Sequence, residues 1–300
     1  MKTKAYIALA ALCFFWGTTY LAIRVGMQTI PLFIFSGFRF VFAGLIMSLF
    51  FILRGHALPD RADFKKLMIS GMLLFVGGNL ILCYAEIEIP SGLAALICAA
   101  FPFWIVLINY LMDRNDKPPR KVLMGLLLGF AGLVIIFRDN LSQLSNTTYL
   151  VSILLLIAAN IFWAIGSVYS KRNPVKINLL FGAGLQMLCC GAVSALVGIF
   201  KGELSGLVLT DEGLFSFFYL LVAGSIIGYN CFVYCLQELP ATLVSIYAYI
   251  NPIIAIILGW LVLDEVITIS MMVAMVMTLA GVYMVNRAMM EKKNDKLVTK

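Results

Sequence analysis

Ten continuous apolar runs divide the chain, at 5–26, 32–53, 67–88, 91–111, 121–138, 148–170, 178–200, 213–236, 241–262 and 268–287. Each is near the 20 or so residues that a helix needs to cross the hydrocarbon of a bilayer. They are unbroken, unlike the alternating runs of about 10 residues expected of a transmembrane β-barrel. Polar residues collect in short connections that leave no room for a soluble domain. The pattern predicts an all-α polytopic membrane protein with ten transmembrane helices.

Composition agrees. Of 300 residues, 62% are hydrophobic and 12% charged, where a soluble domain carries about 25% charged residues. The first run leads into "YLAIRVGMQTIP" with no small-x-small cleavage site, so it is expected to stay on the protein as a span. All seven cysteines (13, 83, 98, 189, 190, 231 and 235) fall inside predicted spans. They read as packing residues. The single histidine, His56, is in a loop, so no metal site and no disulfide framework is predicted.

Basic residues set the orientation. With the N-terminus inside, segments 1–4, 54–66, 112–121, 171–177 and 287–300 hold eighteen of the 22 Lys and Arg residues. The outer loops hold only Arg138 and Lys201, and Arg24 and Arg39 lie in spans. Both termini are therefore expected in the cytoplasm of a cell inner (plasma) membrane. The net charge of +7 is spread over short loops facing anionic lipid, so no nucleic-acid partner is called for.

One passage is written twice. "YAEIEIPSGLAALICAAFP" from Tyr84 and "YCLQELPATLVSIYAYINP" from Tyr234 share Tyr, Glu, Pro and the final Pro in register. At offsets of 147–150 residues, Trp16 falls on Trp163, Arg24 on Lys171, Arg39 on Gln186 and "AGLV" from Ala131 on "AGVY" from Ala280. This predicts two units, 1–140 (spans one to five) and 141–290 (spans six to ten), followed by a cytoplasmic tail, 291–300. Five spans is an odd number, so the second unit is inverted relative to the first. Inverted repeats recur in secondary transporters that expose one central site alternately to either side.

The chain also resembles a known family over nearly its whole length. The passages that carry the resemblance are "WGTTYLAIRVG" (16–26), "GFRFVFAG" (37–44), "LRGHALP" (53–59), "VGGNLILCYAEIEIPSGLAAL" (76–96), "FWAIGSVYSKR" (162–172) and "YAYINPIIAIILG" (247–259). They are similar to the EamA family of the drug/metabolite transporter superfamily, and within it to YedA-like inner-membrane transporters. The resemblance implies ten spans, two EamA repeats and export of small metabolites, without fixing the substrate.

Ionisable groups inside spans are costly and are candidates for function. Arg39 lies about eight residues into span two, roughly 12 Å from its outer end. Glu86 lies near the outer end of span three and Arg24 near that of span one. Arg39 and Glu86 are the natural pair, either as a bridge between spans or as a binding charge. Asn79, Cys83 and Glu86, at i, i+4 and i+7, share a helix face, and Asn230 sits near the matching place in span eight. Their amides need partners, from other helices or from a polar substrate.

Trp16, Tyr20, Trp163, Tyr169, Tyr247 and Tyr249 include belt or packing residues. Trp16 and Trp163, matched and flanked by small residues, are the better candidates for a pocket with Tyr247, Asn251 and Gln186. Phe51 is read as a lipid-facing belt residue. Pro102 and Pro252 stand inside spans four and nine, as hinges or as fixed bends. Gly125, Gly129 and Gly132, with Gly281 at the matching place, predict close helix packing.

These features point to a secondary transporter, an exporter of small amphipathic metabolites such as amino acids. The alternatives are an uptake permease of the same fold or an integral-membrane lipid-modifying enzyme. The enzyme is disfavoured because His56 stands alone. No nucleotide-binding loop is present, and no cofactor is expected. The expected partners are a small-molecule substrate, the lipid bilayer and, through Glu86, a proton; the sequence does not define an oligomeric state.

Overall fold

The computed structural model describes residues 2–112, 118–139, 146–239, 244 and 247–298. Arg114, Lys117, Lys300 and the Pro240–Leu243 part of the repeated passage lie outside them. Helices occupy the place of every predicted span: α1 Lys2–Gly26, α2 Leu32–Leu53, α3 Arg61–Ala85, α4 Ser91–Met112, α5 Arg120–Asp139, α6 Thr147–Arg172, α7 Leu179–Phe200, α8 Asp211–Cys235, α9 Tyr247–Leu263 and α10 Ile269–Val298. Eight of them are long and apolar enough to cross a membrane, α9 is apolar but shorter, and α5 is a 20-residue helix. Helices suit these sequences because each satisfies its own backbone hydrogen bonds, which hydrocarbon cannot do.

The packing is that of two repeats. Helix α2 lies along α7, and α5 along α10, each helix against its own repeat mate. Helix α4 also meets its mate α9, and further neighbours come in matched pairs: α1 with α9 and α6 with α4, α1 with α8 and α6 with α3, α2 with α8 and α7 with α3. Since five helices carry the chain across an odd number of times, the second set runs opposite to the first. Outward faces carry large apolar side chains, such as Phe200 at 86% exposure and Phe130 at 63%, which lipid would cover.

Glycines bring the mated helices together. A Cβ at Gly44 would lie 2.6 Å from the Gly184 carbonyl and 2.7 Å from Leu188 Cα, and one at Gly191 would lie 2.6 Å from Val41 N. The α5–α10 seam uses the glycines read from the sequence: a Cβ at Gly125 would meet the Gly281 carbonyl at 2.6 Å, and one at Gly132 the Ala274 carbonyl at 2.9 Å. Main chain opposes main chain in both seams, so no side-chain rotation makes room for a larger residue.

Two helices depart from regular winding at matched places. Met72–Leu80 in α3 and Leu220–Gly228 in α8 are each nine residues of π-helix. Helix α4 is also interrupted: Ser91–Cys98 and Phe101–Met112 are separate helical segments. Pro102 is therefore the second residue of a new helix, where its missing N–H costs nothing, rather than a kink inside a continuous one. Pro252 does lie within its helix, six residues into α9.

The two halves also complete each other's helix ends. Pro31 and Pro90 precede α2 and α4 and supply no capping side chain. Glu203, between α7 and α8, accepts from Phe33 N at 2.9 Å and Ile34 N at 3.1 Å. Glu265, between α9 and α10, accepts from Ser91 N at 2.9 Å, Ser91 Oγ at 3.0 Å and Gly92 N at 3.3 Å. At the opposite end of the bundle, Asp63 of α3 accepts from Lys176 N at 2.7 Å, just before α7. A carboxylate at a helix N-terminus satisfies orphan N–H groups and matches the helix dipole.

Candidate functional site

A cavity of about 130 Å³ lies between the halves. Trp16 and Trp163 meet in it edge to face, with ring centroids 5.9 Å apart and planes at 80°. Trp16 also contacts Tyr247 at 5.2 Å and Phe232 at 5.1 Å. Each indole rests on a glycine of a π-helical segment in the opposite half. A Cβ at Gly228 would fall 2.5 Å from Trp16 Nε1, and one at Gly78 2.7 Å from Trp163 Cε3. Trp16 Nε1 donates to the Gly224 carbonyl at 3.3 Å, inside the second π segment. Such bulges leave carbonyls free for side chains and are frequent at functional sites.

Further rings and three amides line the cavity. Tyr20, Phe40, Phe75, Phe101 and Tyr229 supply rings, and Asn79, Asn160 and Asn251 supply amides. Asn160 Nδ2 donates to the carbonyls of Ile97 at 3.1 Å and Cys98 at 3.3 Å, where α4 is interrupted. With its amide nitrogen turned toward them, Asn251 donates to the Cys13 carbonyl at 3.1 Å and the Tyr247 carbonyl at 3.0 Å. Asn160 thereby satisfies carbonyls at the break in α4.

Arg39 is the one charged side chain among the described residues of the lining. It is 3% exposed, its Nη2 donates to Asn79 Oδ1 at 2.5 Å, and its guanidinium sits 4.3 Å from the centroid of Phe40. The pairing with Glu86 expected from sequence is not made: no ion pair joins them among the described residues, and Asn79 takes the contact. Asn79 stands seven residues before Glu86 on the same helix, roughly 10 Å along its axis, and so comes level with Arg39.

Glu86 is fully buried at the end of α3, outside the cavity lining, and neither carboxyl oxygen has a hydrogen-bond partner among the described residues. Arg24 comes near it but uses Nη1 on main chain, donating to the carbonyls of Glu86 and, at 2.6 Å, Ile87.

Seven of the ten sequence-nominated binding residues thus share the cavity: Trp16, Tyr20, Arg39, Asn79, Trp163, Tyr247 and Asn251. Glu86, Gln186 and Asn230 do not line it. Gln186 turns toward α3, where Nε2 donates to Ser70 Oγ at 2.5 Å and the Leu67 carbonyl at 3.3 Å, and its neighbour Met187 faces the cavity instead. Asn230 has a buried, unpartnered Oδ1 outside the lining. Phe51 is not a belt residue; it stacks on Phe181 at 5.7 Å and contacts His56 at 5.2 Å. Sequence reasoning missed Asn160, Gly78 and Gly228. The two glycines were signalled by the repeat, because Gly78 falls on Gly228 at the 150-residue offset of the repeated passage.

A helical bundle of two inverted repeats around a central cavity, with apolar helices long enough to cross a bilayer, defines a membrane transporter of the drug/metabolite type. The chain belongs to the EamA-like transporter family, whose model matches residues 3–138 and 150–287. It is similar to the uncharacterized inner membrane transporter YedA of Escherichia coli K12, with 32% identity over 253 residues, 84% of this chain and 80% of that protein. It is similar as well to the uncharacterized transporter YoaV of Bacillus subtilis, at 25% identity over 94% of this chain and 96% of YoaV. A probable amino-acid metabolite efflux pump of E. coli K12 is 23% identical over 89% of this chain and 90% of its own length. A solved structure, titled only as the crystal structure of a protein, matches the fold with a TM-score of 0.68 at 19% identity, covering 94% of this chain and 96% of that one.

Proposed function

We propose that this protein exports small amphipathic metabolites, with amino acids as the leading class, by alternating access between units 1–140 and 141–290, residues 291–300 forming a cytoplasmic tail. It moves its substrate without altering it. The observation that carries the reading is the contact of Trp16 with Trp163, one wall from each half, each seated on a π-helical glycine of the other. Changes in how the halves meet would open or close that wall. Trp16, Tyr20, Asn79, Trp163, Tyr247 and Asn251 hold the substrate, and Arg39 supplies the charge. Pro102 and Pro252 act as hinges, the first at a helix break and the second within α9. Export accords with the name of the efflux-pump relative. A proton is the coupled ion, carried by Glu86.

Efflux from preloaded proteoliposomes tests this. With a panel of labelled amino acids, at least one should leave faster than from empty liposomes and chemically unchanged. Trp163→Ala should slow that efflux about tenfold or more, since lost aromatic contact and burial exceed the 1.4 kcal/mol that a factor of ten requires. Phe130→Ala, at a lipid-facing position, should not. Equal efflux in Trp16→Ala, Trp163→Ala and the unchanged protein would refute the aromatic site.

The orientation proposed puts both termini in the cytoplasm of the inner membrane, on the strength of the Lys and Arg distribution. In a cysteine-free background, a single cysteine placed at the exposed Ser205 should react with an impermeant thiol reagent added outside the cell. Reaction only after the cytoplasm is opened would reverse the assignment.

A further inference from the structure

We propose that the transported molecule carries a carboxylate bound by Arg39 and needs no ammonium group. This rests on the transport reading above and, within the amphipathic metabolites named there, moves the leading class from amino acids to organic acids with an apolar or aromatic body.

The case begins with an imbalance. A guanidinium has five N–H donors and a fixed positive charge. Arg39 spends one contact on Asn79, and its Nε is buried without a partner. No acidic side chain among the described residues lies within ion-pair distance of it, and none lines the cavity. A buried cation is expensive unless a counter-charge or several hydrogen bonds compensate it. The face of Phe40 offsets part of that cost. Arg39 lines the cavity, and a carboxylate is the group whose paired oxygens fit the guanidinium fork.

The repeat shows that the charge is not required by the architecture. Gln186 occupies the equivalent place in the second half, is neutral, and is satisfied by Ser70, Leu67 and Tyr229. One half therefore packs around an amide where the other keeps an undercompensated cation. The charge faces the space enclosed between them, and that space is where its counter-ion enters.

The same lining limits the other end of the ligand. Trp16, Phe75, Phe101, Trp163 and Tyr247 offer rings to an apolar body. An ammonium would meet only amides, hydroxyls and ring faces, with Arg39 repelling it.

Equilibrium binding separates the charge from the shape. Purified full-length protein in nanodiscs is titrated with 3-phenylpropionate, 3-phenylpropanol and 3-phenylpropylamine, with phenylalanine and phenyl phosphate as further arms. The acid should bind about tenfold to a hundredfold more tightly than the alcohol, the range of one charge-assisted contact, and the amine most weakly. Arg39→Gln, which copies the second half's residue, should remove the acid's advantage over the alcohol. The comparison on the unaltered protein decides the matter even if that variant does not fold.

An alcohol or amine bound as tightly as the acid would overturn the proposal. Preference for phenyl phosphate over the acid would also overturn it, by identifying a phosphate site. Phenylalanine bound far more tightly than phenylpropionate would show that an ammonium is recognised, contrary to the proposal. If the alcohol binds and Trp163→Ala weakens it, but the acid has no advantage, the charge assignment fails while the aromatic site stands. If no probe binds in a manner sensitive to Trp163→Ala, the site reading fails and the proposal with it.

Discussion

Gly228→Val should yield a protein that inserts and folds but neither binds nor moves substrate at a measurable rate. The first added carbon alone would lie 2.5 Å from Trp16 Nε1 and 2.6 Å from its Cδ1, with the Ala223 carbonyl 3.0 Å away. The indole is the part that can move. Its displacement breaks the hydrogen bond to Gly224 and carries the ring away from Trp163 and Tyr247, into a cavity of only about 130 Å³. Overpacking of this kind costs about 1–3 kcal/mol, which many folded proteins tolerate, whereas a filled site cannot accept a ligand. Gly228→Ala should show the same loss in milder form, and Gly78→Val should repeat it through Trp163. The measurements are probe affinity and vesicle efflux beside a thermal melt of the same preparation. Normal affinity in Gly228→Val would mean that the seat of Trp16 does not shape the site.

Glu86→Gln is expected to separate stability from coupling. Had Glu86 paired with a buried Arg39, removing its charge would cost about 3–5 kcal/mol. Instead both oxygens lack a partner, and Arg24 bonds to the main chain beside them, which the substitution leaves in place. No hydrogen bond is lost, so unfolding should change by less than about 1 kcal/mol. Flux driven by a pH gradient should vanish in the variant, because Gln cannot take up and release a proton, while downhill exchange of substrate across the membrane continues. Gradient-driven flux that survives the change would exclude Glu86 as the proton carrier. A strongly destabilised variant would mean that a charge partner for Glu86 had been misjudged.

The spans, the two repeats and the Trp16–Trp163 pair were legible in the sequence because they depend on runs and offsets, which a string records directly. Partners within the bundle were less legible because they depend on rotation about each helix axis. Arg39 and Glu86 are opposite charges buried within predicted spans of the first half, so charge alone matches them; their axial positions match Arg39 to Asn79 instead. Gln186 was placed in the cavity by its repeat partner, yet its rotation turns it onto Ser70. The π-helical segments were not legible, since nine mostly apolar residues, two of them glycines, suit an α-helix equally well. Glu203 and Glu265 read as ordinary loop acids, and only the folded arrangement brings them to N-termini capped by nothing local.

That last arrangement bears on how the protein is made. The amides of Phe33 wait for a residue 170 positions later in the chain, and those of Ser91 for one 174 positions later. At about 5–20 residues per second, the ribosome takes roughly 10–30 s to supply each missing carboxylate. Until then the N-termini of α2 and α4 stay unfinished, and translation of the second half completes them.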